Sequence, residues 1–382
     1  MTNAYTIPFN KPHLTGKEMH YIYEAVATGK ISGNGVFTKR CQAYFTERYG
    51  FGKSLLTSSC TDALEMCALL LDIQPGDEVI VPSYTFVSSA NAFVLRGANI
   101  VFADSYAHHP NVDPASVEQL ITDRTRAIVA VHYAGVACDM DALAELAKPR
   151  GIVIVEDAAQ AIDSYYKGTA LGSIGALSAF SFHETKNVIS GEGGMLAVND
   201  TTYADRAEII WEKGTNRSAF FRGEVDKYGW VDVGSSFLPS EVTAAFLYAQ
   251  LQELDRIQVK RKQLWEIYHE RLAAPALSAH FEQPSLPAYA TNNAHMYYIV
   301  LYKPERRASL ITHLKAQGIL AVFHYLSLQQ SPFYSRLGST AALVNADKFA
   351  ERLLRLPLYV DLEPAQVHLI CDHIEQWASP KA

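Results

Sequence analysis

The chain has 382 residues, 49% hydrophobic, 19% charged and 11% aromatic, the make-up of a globular protein with more than one core, neither a disordered chain nor a single small module. Thirty-three Lys and Arg against 40 Asp and Glu leave a formal charge of -7, which opposes general attraction to nucleic acid or an anionic bilayer. The opening stretch, Met1 to Lys11, lacks the basic and apolar regions of a secretory signal. The longest uncharged stretch, Val79 to Leu95, carries Pro82, Asn91 and hydroxyl residues where a spanning helix needs ~20 predominantly apolar residues. Five cysteines without CxxC spacing (Cys41, Cys60, Cys67, Cys138, Cys371) fit reduced thiols better than disulfides or a zinc site. The expectation is a cytoplasmic protein with no metal, no membrane segment and no nucleic-acid partner.

From about residue 54 to 200, β-branched runs alternate with helical patterns, as in βα units. Strands are expected at Lys53–Thr57, Glu78–Val81, Ile100–Ala103, Ala127–Val131, Val153–Glu156, Ser178–Ser181 and Met195–Val198. Helices are expected at Thr61–Leu71, Ser88–Arg96, Pro114–Leu120 and Met140–Ala147. Together they predict an α/β chain with an open, largely parallel sheet covered on both faces and ligands outside the carboxyl ends of the strands. After Ser240 one long helical run, Glu241 to Leu272, is expected to join this domain to the next. Pro275, Pro284 and Pro287 follow, then strands at Met296–Leu301 and Leu320–Tyr325 around a helix at Arg307–Ala316, which make a smaller C-terminal α/β domain. The expected division is 1–250 for the large domain with its N-terminal segment and 251–382 for the small one.

The chemistry gathers in a few segments. Val153-Ile154-Val155-Glu156-Asp157-Ala158-Ala159-Gln160 is an apolar strand ending in two acids, and acids there point into the ligand crevice; by itself the segment reads equally well as a helix cap. Phe180-Ser181-Phe182-His183-Glu184-Thr185-Lys186-Asn187 then leads to Gly191-Glu192-Gly193-Gly194, a lysine before a glycine-rich turn where backbone approaches a ligand closely. An isolated lysine is ordinarily a solvated charge, but the acid-ended strand lies about thirty residues upstream. A lysine able to form a Schiff base and a carboxylate that keeps a pyridinium nitrogen protonated are what pyridoxal phosphate chemistry needs, and Lys186 and Asp157 supply that pair. Thr57-Ser58-Ser59-Cys60-Thr61 opens a helix whose N–H groups suit a phosphate, or it is a plain Ser/Thr cap. Ser181 is a second hydroxyl, and either aromatic of Pro82-Ser83-Tyr84-Thr85-Phe86 suits stacking on a flat ring.

Glu156-Asp157-Ala158-Ala159-Gln160, Ser181-Phe182-His183 with Lys186, and Gly191-Glu192-Gly193-Gly194, in this order and spacing, resemble the DegT/DnrJ/EryC1/StrS family of sugar-nucleotide aminotransferases over essentially the whole chain. The resemblance implies the fold type I (aspartate aminotransferase-like) architecture, pyridoxal 5'-phosphate with its pyridoxamine form as intermediate, and a homodimer with active sites at the subunit interface. It makes Lys186 the Schiff-base lysine, Asp157 the partner of the pyridine nitrogen, and Gln160 the neighbour of the phenolic oxygen. Cys60 (through its backbone), Thr61 and Ser181 become phosphate ligands, and Phe86 the stacking ring. Gly234-Ser235-Ser236-Phe237-Leu238 departs from Gly-x-Asn-Tyr-Arg, so Ser236 stands where many members send an Asn to the partner's cofactor phosphate, and Leu238 where they have Arg.

A closer likeness is carried by Pro8-Phe9-Asn10, Val136-Ala137-Cys138, Phe182-His183-Glu184-Thr185-Lys186-Asn187, Lys213-Gly214-Thr215-Asn216-Arg217, Phe221-Arg222-Gly223, Asp226-Lys227-Tyr228 and Gly234-Ser235-Ser236. It points to family members that form dTDP-4-amino-4,6-dideoxy-D-galactose for enterobacterial common antigen, from L-glutamate and dTDP-4-keto-6-deoxy-D-glucose. Lys213, Arg217, Arg222 and Lys227 are the expected cations for the nucleotide diphosphate, unless they are solvated loop charges. His183 and His324 are candidate sugar contacts, or hydrogen-bonded structural histidines. Phe323-His324-Tyr325-Leu326-Ser327-Leu328-Gln329 departs from the usual His-Tyr-x-Pro-Leu-His. The alternatives are another keto sugar nucleotide, 3-keto or GDP-linked, and a non-catalytic regulator that binds the cofactor.

Overall fold

The computed structural model describes residues 5–336 and 342–379, so residues 1–4 of the opening stretch and 380–382 of the expected small domain lie outside it. Among the described residues, β1 (Lys53–Thr57), β2 (Glu78–Pro82), β3 (Asn99–Ala103), β4 (Thr125–Val131) and β5 (Val153–Asp157) come first. A small hairpin of β6 (Tyr165–Tyr166) and β7 (Thr169–Ala170) follows, then β8 (Leu177–Ser181) and β9 (Gly194–Val198). Without the hairpin these form a seven-stranded sheet in the order β1-β9-β8-β5-β4-β2-β3. The strands from β8 to β3 run parallel, and β9 is antiparallel to both its neighbours.

Both faces are covered, which is why the strands read as continuous apolar runs. Successive side chains leave a strand on opposite faces, so Ile80, Ile128 and Ala130 enter one core while Val79, Val81, Ala127 and Val129 enter the other. Helices Pro114–Leu120 and Met140–Ala147 start on Asp113 and Asp139, whose side chains accept from the N–H groups of Ala115 and Ala142. These are the ranges read from the sequence.

A second, antiparallel sheet has the order β10-β11-β13-β12, from β10 (Phe281–Glu282), β11 (Tyr297–Leu301), β12 (Val322–Phe323) and β13 (Leu353–Leu356). Its core is shared with helices Leu254–Leu272, Pro304–Ala316 and Pro364–Ala378, through Leu264, Trp265, Leu310, Leu314, Val367 and Ile370. Pro304 and Pro364 sit in the first turn, where a missing N–H costs nothing.

Two expectations need correction. The run Glu241 to Leu272 is two helices, Glu241–Leu251 and Leu254–Leu272. Neither Gly nor Pro marks the break; it falls where the N-terminal helix Glu18–Ala27 and its cap reach over, Tyr21 Oη donating to Gln252 Oε1 (2.7 Å) and Lys17 Nζ pairing with Glu253 (2.8 Å). The strand expected over Leu320–Tyr325 is regular only at Val322–Phe323, because His324 and Tyr325 turn into a cavity. Ahead of all this, Ile7 pairs with the segment leading into β12, its N–H donating to Gly318 O (3.1 Å) and its carbonyl accepting from Leu320 N–H (3.0 Å). That strap carries Phe9 and Asn10 across the space between the two sheets, where both line the cavity.

Candidate active site

The carboxyl ends of the large sheet's strands face the small sheet across a cavity of about 840 Å³. Asp157, the last residue of β5, lies at its wall and is 5% exposed. Its Oδ2 accepts from Ser89 Oγ at 2.6 Å and its Oδ1 from Ala159 N–H at 3.1 Å. Since the one Ser89 proton goes to the carboxylate, Thr85 Oγ1 is the donor in the 2.9 Å bond between Thr85 and Ser89. Only one of the two acids ending the strand enters the crevice. Alternation sends Glu156 to the opposite face, where its carboxylate takes up His132 Nε2 (2.9 Å) and the N–H groups of Gly172 (2.7 Å) and Ile174 (2.8 Å). Burial opposes its charge, yet His132 and the N–H groups of Gly175 and Gly172 hold the carboxyl below its ordinary range.

Lys186 lies in the loop from β8 to β9. Backbone bonds across that loop fix it, Lys186 N–H to His183 O (2.9 Å) and Glu184 N–H to Gly191 O (2.9 Å), with Gly191 at φ 81°. Its neighbour Asn187 anchors the loop beneath, Nδ2 donating to Gln258 Oε1 (2.8 Å) and Asn293 O (2.9 Å). Asn187 Oδ1 then accepts from His295 Nδ1 (2.9 Å), which leaves His295 Nε2, in its neutral form, as an acceptor at the cavity wall. Lys186 Nζ enters the cavity with no hydrogen-bond acceptor among the described residues. Burial pushes its ammonium below the ordinary 10.5, against the pull of Cys60 and Asp157.

Helix Cys60–Leu70 starts at the same wall. Ser59 Oγ caps it by accepting from Asp62 N–H (3.1 Å), and the N–H groups of Cys60 and Thr61 have no acceptor among the described residues. Thr61 Oγ1 bonds Ser88 Oγ at 2.8 Å, and Ser181 also lines the cavity. Gly194 makes this cradle possible, because a Cβ there would collide with the backbone of Ser59 and Cys60. Gly194→Ala is therefore expected to lower stability by about 1–3 kcal/mol, as overpacking does, and to weaken anion binding at the helix start; thermal unfolding with and without inorganic phosphate checks both.

Phe86 is 54% exposed at the mouth, its ring 6.1 Å from that of Tyr325. Gln160 Oε1 accepts from Ala134 N–H (2.7 Å) and its Nε2 donates to Tyr325 Oη (2.9 Å). His183 and His324 both line the cavity. His183 Nδ1 pairs with Thr185 Oγ1 (3.1 Å), and His324 Nδ1 with Tyr133 Oη (2.7 Å).

The structure brings Lys186, Asp157, Gln160, Cys60, Thr61, Ser181, Phe86, His183 and His324 to one cavity. It does not bring there Lys213, Arg217, Arg222, Lys227 or Ser236. Those five lie on an exposed arm from 213 to 236 that includes the short helix Arg217–Phe221. Arg222 is already paired with Glu208 (2.8 Å) and Glu224 (2.7 Å), and Ser236 bridges to Glu212. The sequence reading missed Ser89, His295 and Arg355, and it quoted the strap residues Phe9 and Asn10 for the closer likeness without giving them a place in the site. Ser89 carried a signal, since it lies one helical turn beyond Thr85; the others come from distant segments. A free amine, a carboxylate beyond it, a helix N-terminus with unpaired N–H groups and an exposed ring fit an aromatic aldehyde phosphate. Among the described residues no group of three or more His, Cys, Asp or Glu is placed to hold a metal, and no helix is long and apolar enough to cross a membrane.

Comparison with known proteins points the same way. The model of the DegT/DnrJ/EryC1/StrS aminotransferase family matches residues 12–375. A GDP-perosamine synthase of Escherichia coli O157:H7 is 32% identical over 382 residues, covering 98% of this chain and 99% of that protein. DesV of S. venezuelae, solved in complex with a ketimine intermediate, superposes with a TM-score of 0.89 at 32% identity over 98% of this chain and 99% of that one. The PLP form of Spr1654 from Streptococcus pneumoniae does so with a TM-score of 0.89 at 26% identity, over 98% and 99% of the two chains.

Proposed function

Because the chain belongs to the DegT/DnrJ/EryC1/StrS aminotransferase family, whose members are pyridoxal-phosphate-dependent sugar aminotransferases, we propose that it moves the amino group of L-glutamate to the 4-keto carbon of dTDP-4-keto-6-deoxy-D-glucose, giving dTDP-4-amino-4,6-dideoxy-D-galactose and 2-oxoglutarate. The observation that carries the reading is Lys186 Nζ, without an acceptor, in one cavity with Asp157 and the unpaired N–H groups that open helix Cys60–Leu70.

When bound, pyridoxal phosphate carries the amino group between substrates and takes up the electron pair released at the neighbouring carbon. Lys186 anchors it and, once displaced, moves a proton to and from the carbon that bears the amine. Asp157, held in place by Ser89 and Ala159 N–H, would keep a pyridine nitrogen protonated. The N–H groups of Cys60 and Thr61, with the Thr61 and Ser181 hydroxyls, bind the phosphate. Phe86 would stack on the ring, and Gln160 would serve its phenolic oxygen. His183 and His324 face the sugar.

A homodimer completes the site in this reading. The arm from 213 to 236 leaves its own cavity untouched and exposes Trp230 (85%), Phe221 and Tyr228, apolar surface that a second copy would cover. Seated on a partner, the arm carries Ser236 to that subunit's phosphate and Lys213, Arg217, Arg222 and Lys227 to its nucleotide diphosphate. The motif likeness at 136–138, 213–217, 221–223 and 226–228 supports the dTDP-linked acceptor, and with it a cytoplasmic step of polysaccharide biosynthesis. One observation favours a second reading, a GDP-linked 4-keto sugar: the 32% identity to a GDP-perosamine synthase.

Mass and NMR analysis of products made from each nucleotide sugar with pyridoxal phosphate and L-glutamate tests the proposal. An axial 4-amine from the dTDP sugar is the expected product. An amine formed only from the GDP sugar moves the acceptor, and none from either, or from a 3-keto isomer, overturns the reading.

A further inference from the structure

Arg355 is the third residue of β13. Leu354 and Leu356 on either side enter the small-domain core, so alternation turns Arg355 to the opposite face, where it lines the cavity. Its Nη2 donates to Phe323 O at 3.3 Å, and its guanidinium carbon lies 4.6 Å from the centroid of the Phe9 ring. Its Nε is buried without an acceptor. Buried guanidinium groups ordinarily have an acid beside them. Here burial is the largest influence on the charge, followed by Tyr133, Tyr325 and Tyr84, with no acid among them. The acids at the cavity wall are engaged elsewhere, Asp157 with Ser89 and Glu192 with His183 (3.6 Å). Arg355 is thus a fixed cation facing a cavity that offers it no anion.

Which anion it awaits follows from its position. Its charge is felt at Lys186 and His324, close to where chemistry must occur. In an amino acid, the α-carboxylate is one bond from the carbon that carries the amine. In a 4-keto sugar nucleotide, the diphosphate hangs from the far side of the hexose ring. A cation beside the reacting lysine therefore matches the first and not the second. With Phe9 over its face, the guanidinium meets ligands along its edge, the geometry of a paired contact to a carboxylate.

We propose that Arg355 anchors the α-carboxylate of the amino donor, an inference that rests on the aminotransferase reading above. The test uses the holoenzyme and its Arg355→Gln and Arg355→Lys variants. Arg355→Gln is expected to weaken L-glutamate in the single-turnover donor half-reaction by about 100-fold, the scale of a lost charge-assisted pair. Butylamine, which has no carboxylate, should bind the cofactor equally in both proteins, and the aminated sugar nucleotide should react in the reverse half-reaction with little change. Arg355→Lys keeps the charge without the fork and falls between. Calorimetry with glutarate, a dicarboxylate without an amine, gives a readout free of turnover and should show a similar loss of affinity. Unchanged glutamate and glutarate binding in Arg355→Gln overturns the proposal, as does a loss confined to the sugar half-reaction. If the wild type aminates no keto sugar, the aminotransferase reading fails by itself, and glutarate binding still decides the anchor.

Discussion

Replacing Lys186 by alanine is expected to lower turnover by at least about 10⁴-fold, because the proposed mechanism makes one side chain both the cofactor's anchor and the proton carrier. Borohydride reduction of the wild type followed by peptide mass analysis should find the cofactor on the peptide containing Lys186. A modified peptide elsewhere, or full activity in the variant, would reject the assignment. The lysine also has a signature in stability. Burial puts its folded pKa below 10.5, so at lower pH the charge is present in both states and burdens the folded one. That burden lifts as the pH rises through the folded pKa toward 10.5, because the unfolded chain then holds more protons. An apoprotein with Lys186→Met should accordingly be more stable than the wild type at neutral pH, with the difference narrowing at alkaline pH. Thermal unfolding of both at two pH values checks the sign, and a constant difference would mean that the folded lysine keeps its ordinary pKa.

Asp157→Asn has the second large effect, a fall in kcat of roughly 10²- to 10³-fold, the usual cost of losing one preorganised electrostatic contact. The substitution is nearly isosteric. Asn Oδ1 still accepts from Ala159 N–H, and Nδ2 meets Ser89 Oγ, whose proton is then free to turn away. The fold and the covalent attachment at Lys186 should survive, so the cofactor absorbance remains while the proton-transfer step slows. Turnover equal to the wild type would remove Asp157 from the ring-nitrogen role; loss of the cofactor altogether would make it a binding residue first.

The large sheet was legible because its strands are buried on both faces and its helices are short and punctuated. Asp113, Pro114 and Asp139 announce two of them by capping chemistry that acts within a few residues. Asp157 and Lys186 were legible for a related reason, since each lies in an unbroken local motif at a strand's end. What lay beyond reach was set by distant partners. Arg355 sits in Leu353–Leu356, a strand that follows helix Val344–Arg352 without an intervening turn, so no breaker marks it and no local pattern says which face it takes. His295 matters only because Asn187, 108 residues earlier, fixes its ring. The cations at 213 to 227 show the converse, a segment whose composition suggests a phosphate site and whose own fold leaves it facing away from the cavity.

The pairing of Ile7 with Gly318 and Leu320 has a practical consequence for how the protein is made. The family match begins at residue 12, and a chain trimmed to that boundary would keep both sheets together with Asp157 and Lys186. It would also lose Phe9, the ring against Arg355, and Asn10, whose Nδ2 donates to Glu184 O (3.1 Å) in the loop that carries Lys186. The segment ahead of the family match is therefore part of the cavity wall, and a purification tag fused close to Ile7 would sit near its rim.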